Sequence, residues 1–134
     1  MKGKRLLFDA YAVLVYLKKQ KGGDIVTALL MQSEQEGNPL LMSIINWGEV
    51  LYMIEREEGV PRVKEVEALL EALNIQIVAV TAEIIRQAAR YKARGRISYA
   101  DAIAAGTAKT HGAALVTGDQ EFKALEKEIK IIWI

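Results

Sequence analysis

The chain has no cysteine, only two prolines and a single histidine among its 134 residues. Without cysteine it forms neither a disulfide nor a thiolate metal site, which excludes zinc ribbons and is in keeping with a reducing compartment. An excess of charge is also missing, since 18 basic residues oppose 17 acidic ones for a net charge of +1. Any surface for nucleic acid must therefore be local.

Long hydrophobic runs are missing as well. The N-terminus reads MKGKRLLFDAY, in which Asp9 interrupts a short apolar run. We therefore expect neither a signal peptide nor a membrane span, and predict a soluble cytoplasmic protein. With 51% hydrophobic residues and no Gly/Pro-rich linker, residues 1–134 are expected to form a single domain with one proper core.

Short apolar runs alternate with helical patterns along the chain. Five such runs, separated by helices, predict an α/β fold with a mostly parallel five-stranded sheet covered on both faces. Capping and breaking residues divide the helices from the strands, with Ser43, Thr81 and Ser98 as N-caps. The predicted strands are Arg5 to Phe8, Leu40 to Ser43, Ile75 to Val80, Ala113 to Val116 and residues 129–134. The predicted helices cover residues 10–19, 25–35 and 45–56, Pro61 to about Asn74, Thr81 to about Arg94, residues 98–111 and a last turn over 120–125.

Four carboxylates follow predicted strands or begin helices. Asp9 comes after strand one, Glu49 lies in the helix after strand two, and Asp119 comes after strand four, in Thr117-Gly118-Asp119. Asp101 begins the helix that leads into strand four, so it also lies at the carboxyl end of that strand. The carboxyl edge of a parallel sheet is where open α/β proteins bind ligands.

Each of these acids also has a purely structural interpretation. Asp9 and Asp119 suit helix N-caps, Asp101 suits a capping box with Ser98, and Glu49 suits a solvated helix face. Together, however, clustered carboxylates repel one another unless a cation compensates them, and hard oxygen ligands suit Mg²⁺ or Mn²⁺. Such ions lower the pKa of water and stabilise the transition state of phosphodiester hydrolysis. The sequence therefore favours a metal-dependent hydrolase.

Four stretches, taken in order, resemble one known family. LLFDAY with Asp9, INWGEVLY with Asn46 and Glu49, SYADAIAAGTAK with Asp101, and LVTGDQEF with Thr117 and Asp119 are similar to the PIN-domain ribonucleases. They are closest in kind to the compact VapC-like toxins of prokaryotic toxin–antitoxin pairs. The stretches span essentially the whole sequence.

The resemblance implies a three-layer α/β/α sandwich and hydrolysis of RNA phosphodiester bonds. It implies that Mg²⁺ or Mn²⁺ is held by Asp9, Glu49, Asp101 and Asp119, with in-line attack by water. Asn46 and Thr117 would orient carboxylates or water, and Glu121 would be a possible extra acid. It further implies a cognate antitoxin and a homodimer, with the helical pair over residues 44–73 as the partner surface.

Basic residues precede the Asp101 helix. Lys92, Arg94 and Arg96 are predicted to contact RNA phosphates near the site. An alternative remains open, because basic residues at a helix C-terminus also complement the helix dipole and face water.

Two other functions remain possible. FDAY also resembles the haloacid dehalogenase and phosphatase superfamily, in which Asp9 would be a covalent nucleophile and Ser43, Lys109 and Asp119 its partners. That interpretation leaves Glu49 and Asp101 unused and is typical of longer chains with a cap. A catalytically inactive scaffold that only binds a partner would show no metal dependence and no effect of neutralising Asp101.

Overall fold

The structure is a computed structural model and describes residues 5–134. Along these residues α-helices alternate with short strands, and one 3₁₀ helix precedes the last strand. The order is β1 (Leu6–Phe8), α1 (Ala10–Leu17), α2 (Gly23–Glu36), β2 (Leu40–Ser43), α3 (Ile44–Glu58), α4 (Val60–Ala72), β3 (Ile75–Val78), α5 (Ala82–Arg94), α6 (Tyr99–His111), β4 (Ala114–Thr117), the 3₁₀ helix (Gln120–Leu125) and β5 (Ile131–Trp133).

The five strands form one sheet in the order β3-β2-β1-β4-β5, and every neighbouring pair is parallel. The predicted α/β fold is confirmed, and the sheet is parallel throughout. β1 and β4 are neighbours near the middle, with Phe8 opposite Val116. Asp9, directly after β1, therefore lies beside Thr117 at the end of β4, and both stand at the carboxyl edge.

The sheet is covered on both faces, as alternation along its strands dictates. Leu7 and Leu115 belong to a core shared with α5, α6 and the 3₁₀ helix. Phe8 and Val116, one position further along each strand, belong to a second core shared with α1, α2, α3 and α4. The structure is thus a three-layer α/β/α sandwich, with the ends of β1 and β4 between the two helical layers.

Helix and strand ends differ from the sequence prediction by a few residues. β3 ends at Val78 instead of Val80, and β5 covers only Ile131–Trp133, because strand pairing stops before the apolar run does. α2 begins at Gly23, two residues early, because Gly22 turns the chain in a left-handed conformation with φ of +95°. Within residues 5–134 no helix has the length and apolar character to cross a membrane.

Close contact between α5 and α6 brings the start of α6 to the carboxyl edge. A Cβ on Gly106 would lie 2.8 Å from the carbonyl oxygen of Ile84 and 3.2 Å from the backbone nitrogen of Ala88. Only glycine leaves room for this approach. The alanines beside Gly106 in α6 are buried as well, so α6 packs along its length and its first turn, which carries Asp101, is held in place.

Candidate active site

Asp9 is the most buried acid at the carboxyl edge, with 2% of its surface exposed. It is the N-cap of α1, as the structural interpretation predicted: its Oδ1 accepts from the backbone N–H of Ala12 at 2.9 Å. Its Oδ2 accepts from the hydroxyl of Thr117 at 2.5 Å. The pKa of Asp9 is raised to about 7, chiefly by burial and to a lesser degree by the negative charges of Asp119 and Glu49, against the lowering effect of the two hydrogen bonds.

Thr117 links Asp9 to Asp119. The same hydroxyl that donates to Asp9 accepts from the backbone N–H of Asp119 at 3.0 Å. Asp119 in turn caps the 3₁₀ helix, because its Oδ1 accepts from the N–H of Glu121 at 3.0 Å. One oxygen of Asp119 is therefore engaged in capping, which fixes the orientation of its carboxylate.

Asp101 lies in the first turn of α6, after its N-cap Ser98. The Ser98 hydroxyl accepts from the N–H of Asp101 at 3.2 Å, so the predicted cap is present. The reciprocal half of the predicted capping box is wrong: the N–H of Ser98 donates to Oε1 of Glu121, 3.4 Å away, because the 3₁₀ helix brings Glu121 to this helix end. Because Glu121 and not Asp101 accepts from Ser98, the carboxylate of Asp101 can interact with the other acids.

Three carboxylates meet at this point. One oxygen each of Asp101, Asp119 and Glu121 lies within 4.8 Å of the others. The pKa of Asp101 is raised to about 8, chiefly by burial and then by the nearby carboxylates of Glu121, Asp119 and Asp9. Carboxylates this close repel one another when ionised, and a shared proton or a cation would relieve that repulsion. The structure therefore brings Asp9, Asp101 and Asp119 together, and adds Glu121.

Glu49 approaches the same edge from α3. Ser43 caps that helix by accepting from the N–H of Ile45 at 3.2 Å. Asn46 is 1% exposed, and its Nδ2 donates to Oε1 of Glu49 at 2.7 Å. The charge of Glu49 contributes to the raised pKa of Asp9, so the two acids are close enough to interact. Asn46 thus contacts Glu49; its role in orienting a catalytic carboxylate, which the resemblance implied, stays a prediction.

These residues fit a divalent cation. The donors are carboxylate oxygens, the ligands that Mg²⁺ and Mn²⁺ prefer. Among the described residues the buried Oδ1 of Asn46 has no hydrogen-bond partner, and a buried acceptor is normally satisfied by a donor, an ordered water or an ion. Burial first, and the neighbouring carboxylates second, disfavour the ionised forms of Asp9 and Asp101 and so raise the pKa of each. A bound cation would favour the ionised forms.

The predicted phosphate-contacting residues have different surroundings. The Nζ of Lys92 donates to the carbonyl oxygen of Ile97 at 2.8 Å, so Lys92 closes the α5–α6 connection. The guanidinium of Arg94 stacks on the Tyr91 ring, 5.7 Å from its centroid, and lies 3.6 Å from Oε1 of Glu128. Arg94 and Arg96 also line a cavity of about 310 Å³ that reaches Glu121.

Two of the three partners expected of a dehalogenase-like site, Lys109 and Ser43, have other contacts. Lys109 lies in the last turn of α6, about 12 Å along the helix axis from Asp101, and its Nζ donates to the carbonyl oxygen of Glu128. The hydroxyl of Ser43 is used in capping α3. The geometry does not favour Asp9 as a covalent nucleophile with these residues.

Sequence reasoning gave Glu121 only as a possible extra acid and overlooked Tyr11. Glu121 lies two residues after Asp119, in the first turn of the 3₁₀ helix that Asp119 caps. Recognising that cap in the sequence would have placed Glu121 near Asp119. Tyr11 stands two residues after Asp9, and its ring contacts Gly118. A contact between residues so far apart in sequence has no signature in the sequence.

Comparison with known proteins gives a consistent result. The family model described as PIN domain matches residues 6–128. No curated protein matches the sequence significantly. The DNA-bound VapBC structure from Salmonella typhimurium is similar with a TM-score of 0.77 and 16% identity, over 97% of this chain and 98% of that chain.

Two further solved structures are similar. For VapBC2 from Rickettsia felis, bound to a fragment of its promoter DNA, the TM-score is 0.74 at 17% identity, over 96% of this chain and 98% of that chain. For VapC20 from Mycobacterium tuberculosis, described as a toxin that cleaves the sarcin-ricin loop, it is 0.70 at 17% identity, over 89% and 93%. At such identities the likeness shows a shared fold.

Proposed function

Because the chain belongs to the PIN domain family, we propose that it is a metal-dependent endoribonuclease and the toxin of a VapBC-type toxin–antitoxin pair, acting in the cytoplasm. Its catalytic residues would be Asp9, Glu49, Asp101 and Asp119. The observation that carries this proposal is the meeting of Asp101, Asp119 and Glu121, with one oxygen each within 4.8 Å of the others, beside the buried Asp9. Such a concentration of acids at a ligand-binding edge favours a cation site over a set of independent helix caps.

A divalent cation, Mg²⁺ or Mn²⁺, would be held by Asp9, Asp101 and Asp119, with Glu49 and Glu121 at its margins. When bound, such a cation activates water for attack on a phosphodiester and offsets the charge that develops on the phosphate. The chain's own contribution is orientation. Thr117 and the N–H of Ala12 fix the two oxygens of Asp9, and Asn46 fixes Glu49.

Proton exchange accompanies this site. Asp9 and Asp101, with pKa values raised to about 7 and about 8, are partly protonated near neutral pH when no cation is present. Cation binding requires the ionised carboxylates, so it releases these protons and strengthens as pH rises. Activity should therefore increase with pH through the range in which both groups ionise.

RNA is the proposed substrate. Arg96 and Arg94 line the cavity of about 310 Å³ beside Glu121. Their guanidinium groups can contact a phosphate of the RNA backbone where the strand leaves the acids. Lys92 is a weaker candidate, because its ammonium is engaged with the carbonyl of Ile97. One structure of the same fold is described as a toxin that cleaves the sarcin-ricin loop, which favours RNA for this fold.

The proposed protein partners are an antitoxin and a second copy of the chain. Ile44, Ile45 and Val60, on α3 and at the start of α4, are large apolar residues with more than a third of their surface exposed. Large apolar residues exposed on a helical pair are compatible with an interaction surface. Similar structures include the VapBC complexes, so we assign the antitoxin to the α3–α4 surface.

The test is cleavage of a mixed RNA pool by the purified protein with Mg²⁺, with Mn²⁺ and with chelator, alongside Asp101→Asn. We expect cleavage that requires a cation and is lost in Asp101→Asn. Asp24→Asn, which neutralises an acid in the first turn of α2, is the matched control and should cleave normally. No cleavage with any ion, together with no measurable metal binding, would contradict the proposal and favour an inactive scaffold.

A further inference from the structure

An aromatic side chain stands exposed beside the acids. Tyr11 lies in the first turn of α1, two residues after Asp9, and 41% of its surface is exposed. The four residues that follow it in α1 are buried. Tyr11 therefore presents a large apolar ring to solvent at the carboxyl edge, where the sheet and the first turn of α1 meet.

The ring of Tyr11 lies against the backbone of the loop that carries Asp119. A Cβ on Gly118 would lie 2.3 Å from Cε1, 2.6 Å from Cζ and 2.9 Å from the hydroxyl oxygen of Tyr11. Gly118 is not among the glycines with positive φ. Glycine at this position therefore leaves the space that the Tyr11 ring fills.

The position of the ring is therefore defined by the site itself. Gly118 stands between Thr117, which donates to Asp9, and Asp119, whose carboxylate lies close to those of Asp101 and Glu121. The hydroxyl end of the ring, through Cε1, Cζ and the hydroxyl oxygen, contacts this loop, and 41% of the Tyr11 surface is exposed. A flat aromatic surface held beside a phosphodiester-cleaving site has the geometry of a stacking platform for a nucleobase.

We propose that Tyr11 stacks on a base of single-stranded RNA next to the scissile phosphate, and so acts as a positioning residue for the substrate. This inference rests on the proposed ribonuclease function. Stacking needs an unpaired base, because a base within a duplex has both faces covered by its neighbours. The platform would accordingly favour single-stranded substrate and tolerate more than one base, since every base has a π face.

The ring, rather than the hydroxyl, is the part that the proposal requires. Tyr11→Phe keeps the ring, whereas Tyr11→Leu keeps a shorter apolar side chain without an aromatic face. We expect Tyr11→Leu to raise KM for short single-stranded oligoribonucleotides about ten-fold or more, the scale of losing one stacked base. Tyr11→Phe should remain close to the unsubstituted protein. Ile25→Ala, which truncates a similarly exposed apolar side chain on α2, should leave KM unchanged.

Abasic substrates separate stacking from support of the loop. A set of oligoribonucleotides, each lacking the base at one position, is offered as substrate to the unsubstituted protein and to Tyr11→Leu, and KM is measured for each. Thermal unfolding is recorded for each variant. At one position next to the cleavage site, the abasic nucleotide should raise KM for the unsubstituted protein and have no further effect in Tyr11→Leu. The two changes are then non-additive, as expected when they remove the same contact.

Each other result overturns the inference in a distinguishable way. If the unsubstituted protein cleaves RNA and Tyr11→Leu has the same KM, Tyr11 does not stack, and the ribonuclease function stands. If Tyr11→Leu changes KM or kcat and no abasic position removes the difference, the ring only supports the Gly118 loop. If the unsubstituted protein cleaves no RNA with any cation, the proposed function fails and the inference fails with it.

Discussion

The hydroxyl of Thr117 donates to the carboxylate of Asp9 across 2.5 Å, although the two residues are 108 positions apart in the chain. Parallel pairing of β1 with β4 creates this contact, because it brings the ends of the two strands together. The same hydroxyl accepts from the N–H of Asp119. One small polar side chain thereby sets the position of one acid and of the loop that carries another.

Replacing Thr117 by valine removes this hydroxyl with little change in volume. Asp9 loses the strongest of the interactions that lower its pKa, so its pKa should rise above about 7. We expect cation affinity or cleavage to fall by about 10- to 100-fold, the usual effect of losing a contact that orients a metal ligand. Isothermal titration with Mn²⁺ measures the affinity. Thr117→Ser keeps the hydroxyl and should retain most of it.

Neutralising the acids one at a time tests their proposed role. Asp9→Asn, Asp101→Asn and Asp119→Asn should each abolish cleavage, while circular dichroism and thermal unfolding show a retained fold. Preserved cleavage in all three variants would be incompatible with the proposed site. Glu49→Gln distinguishes the alternative enzyme, because a dehalogenase-like mechanism through Asp9 would tolerate that change, whereas a shared cation site would lose activity.

Stability without a cation should fall as pH rises. The pKa of Asp9 is about 7 in the folded protein and near 3.8 in the unfolded chain, so between these values the folded protein holds a proton that the unfolded chain has lost. The contribution is fully present below about pH 4 and disappears as pH rises through the folded pKa. A shift of this size corresponds to about 4 kcal/mol, and Asp101 acts in the same direction.

Urea unfolding in chelator at about pH 5 and about pH 8.5 measures this effect. We expect higher stability at the lower pH, and recovery at the higher pH when Mn²⁺ is added, because the cation binds the ionised form. Asp9→Asn should show a flatter dependence on pH than the unsubstituted protein. Higher stability at the upper pH in chelator would contradict the assignment.

The sequence was sufficient for what depends on local patterns. Alternation of apolar runs with helices predicts the parallel sheet, and Ser43, Thr81 and Ser98 are N-caps in the structure as predicted. The acids follow strands or begin helices, and in a parallel sheet such positions converge on one edge whatever the details of packing. Their convergence was therefore predictable from connectivity.

Contacts between distant segments were beyond the reach of the sequence. The N–H of Ser98 donates to Glu121 and not to Asp101, since the 3₁₀ helix packs against the start of α6. Lys92 likewise meets the carbonyl of Ile97 through the turn after α5. The local pattern predicts a helix cap at Ser98 and a basic helix end at Lys92. Tertiary packing decides which group each of them contacts, and sequence spacing does not predict that group.

Gly106→Ala tests the packing that positions Asp101. The new methyl group would lie 2.8 Å from the carbonyl oxygen of Ile84 and 3.2 Å from the backbone nitrogen of Ala88, so α5 itself would have to move. We expect the free energy of unfolding to fall by roughly 1–3 kcal/mol, as for other overpacked sites. Urea unfolding measures the loss. Gly48→Ala is the control, because it introduces a methyl group with open space around it. Gly37→Ala would not serve, because Gly37 has φ of +68° and any side chain there is strained.

Gly118→Ala tests how Tyr11 is held, and its outcome should differ from that of Gly106→Ala. The methyl group would meet the far end of a half-exposed side chain rather than backbone, with Cε1 of Tyr11 2.3 Å away. The ring can swing into solvent, so stability should change by less than about 1 kcal/mol, as at other accommodating surface sites. KM for single-stranded RNA should nevertheless rise to the level of Tyr11→Leu, because the ring has left its position.

The combined variant Tyr11→Leu with Gly118→Ala shows whether the two residues act together. If Gly118 serves only to seat the ring, adding Gly118→Ala to Tyr11→Leu should leave KM where Tyr11→Leu alone placed it. A further rise in KM, or a loss of cation affinity, would mean that the methyl group disturbs Asp119 directly. Gly118 would then be required by the acidic group itself, and the glycine in this loop would have a reason independent of the ring beside it.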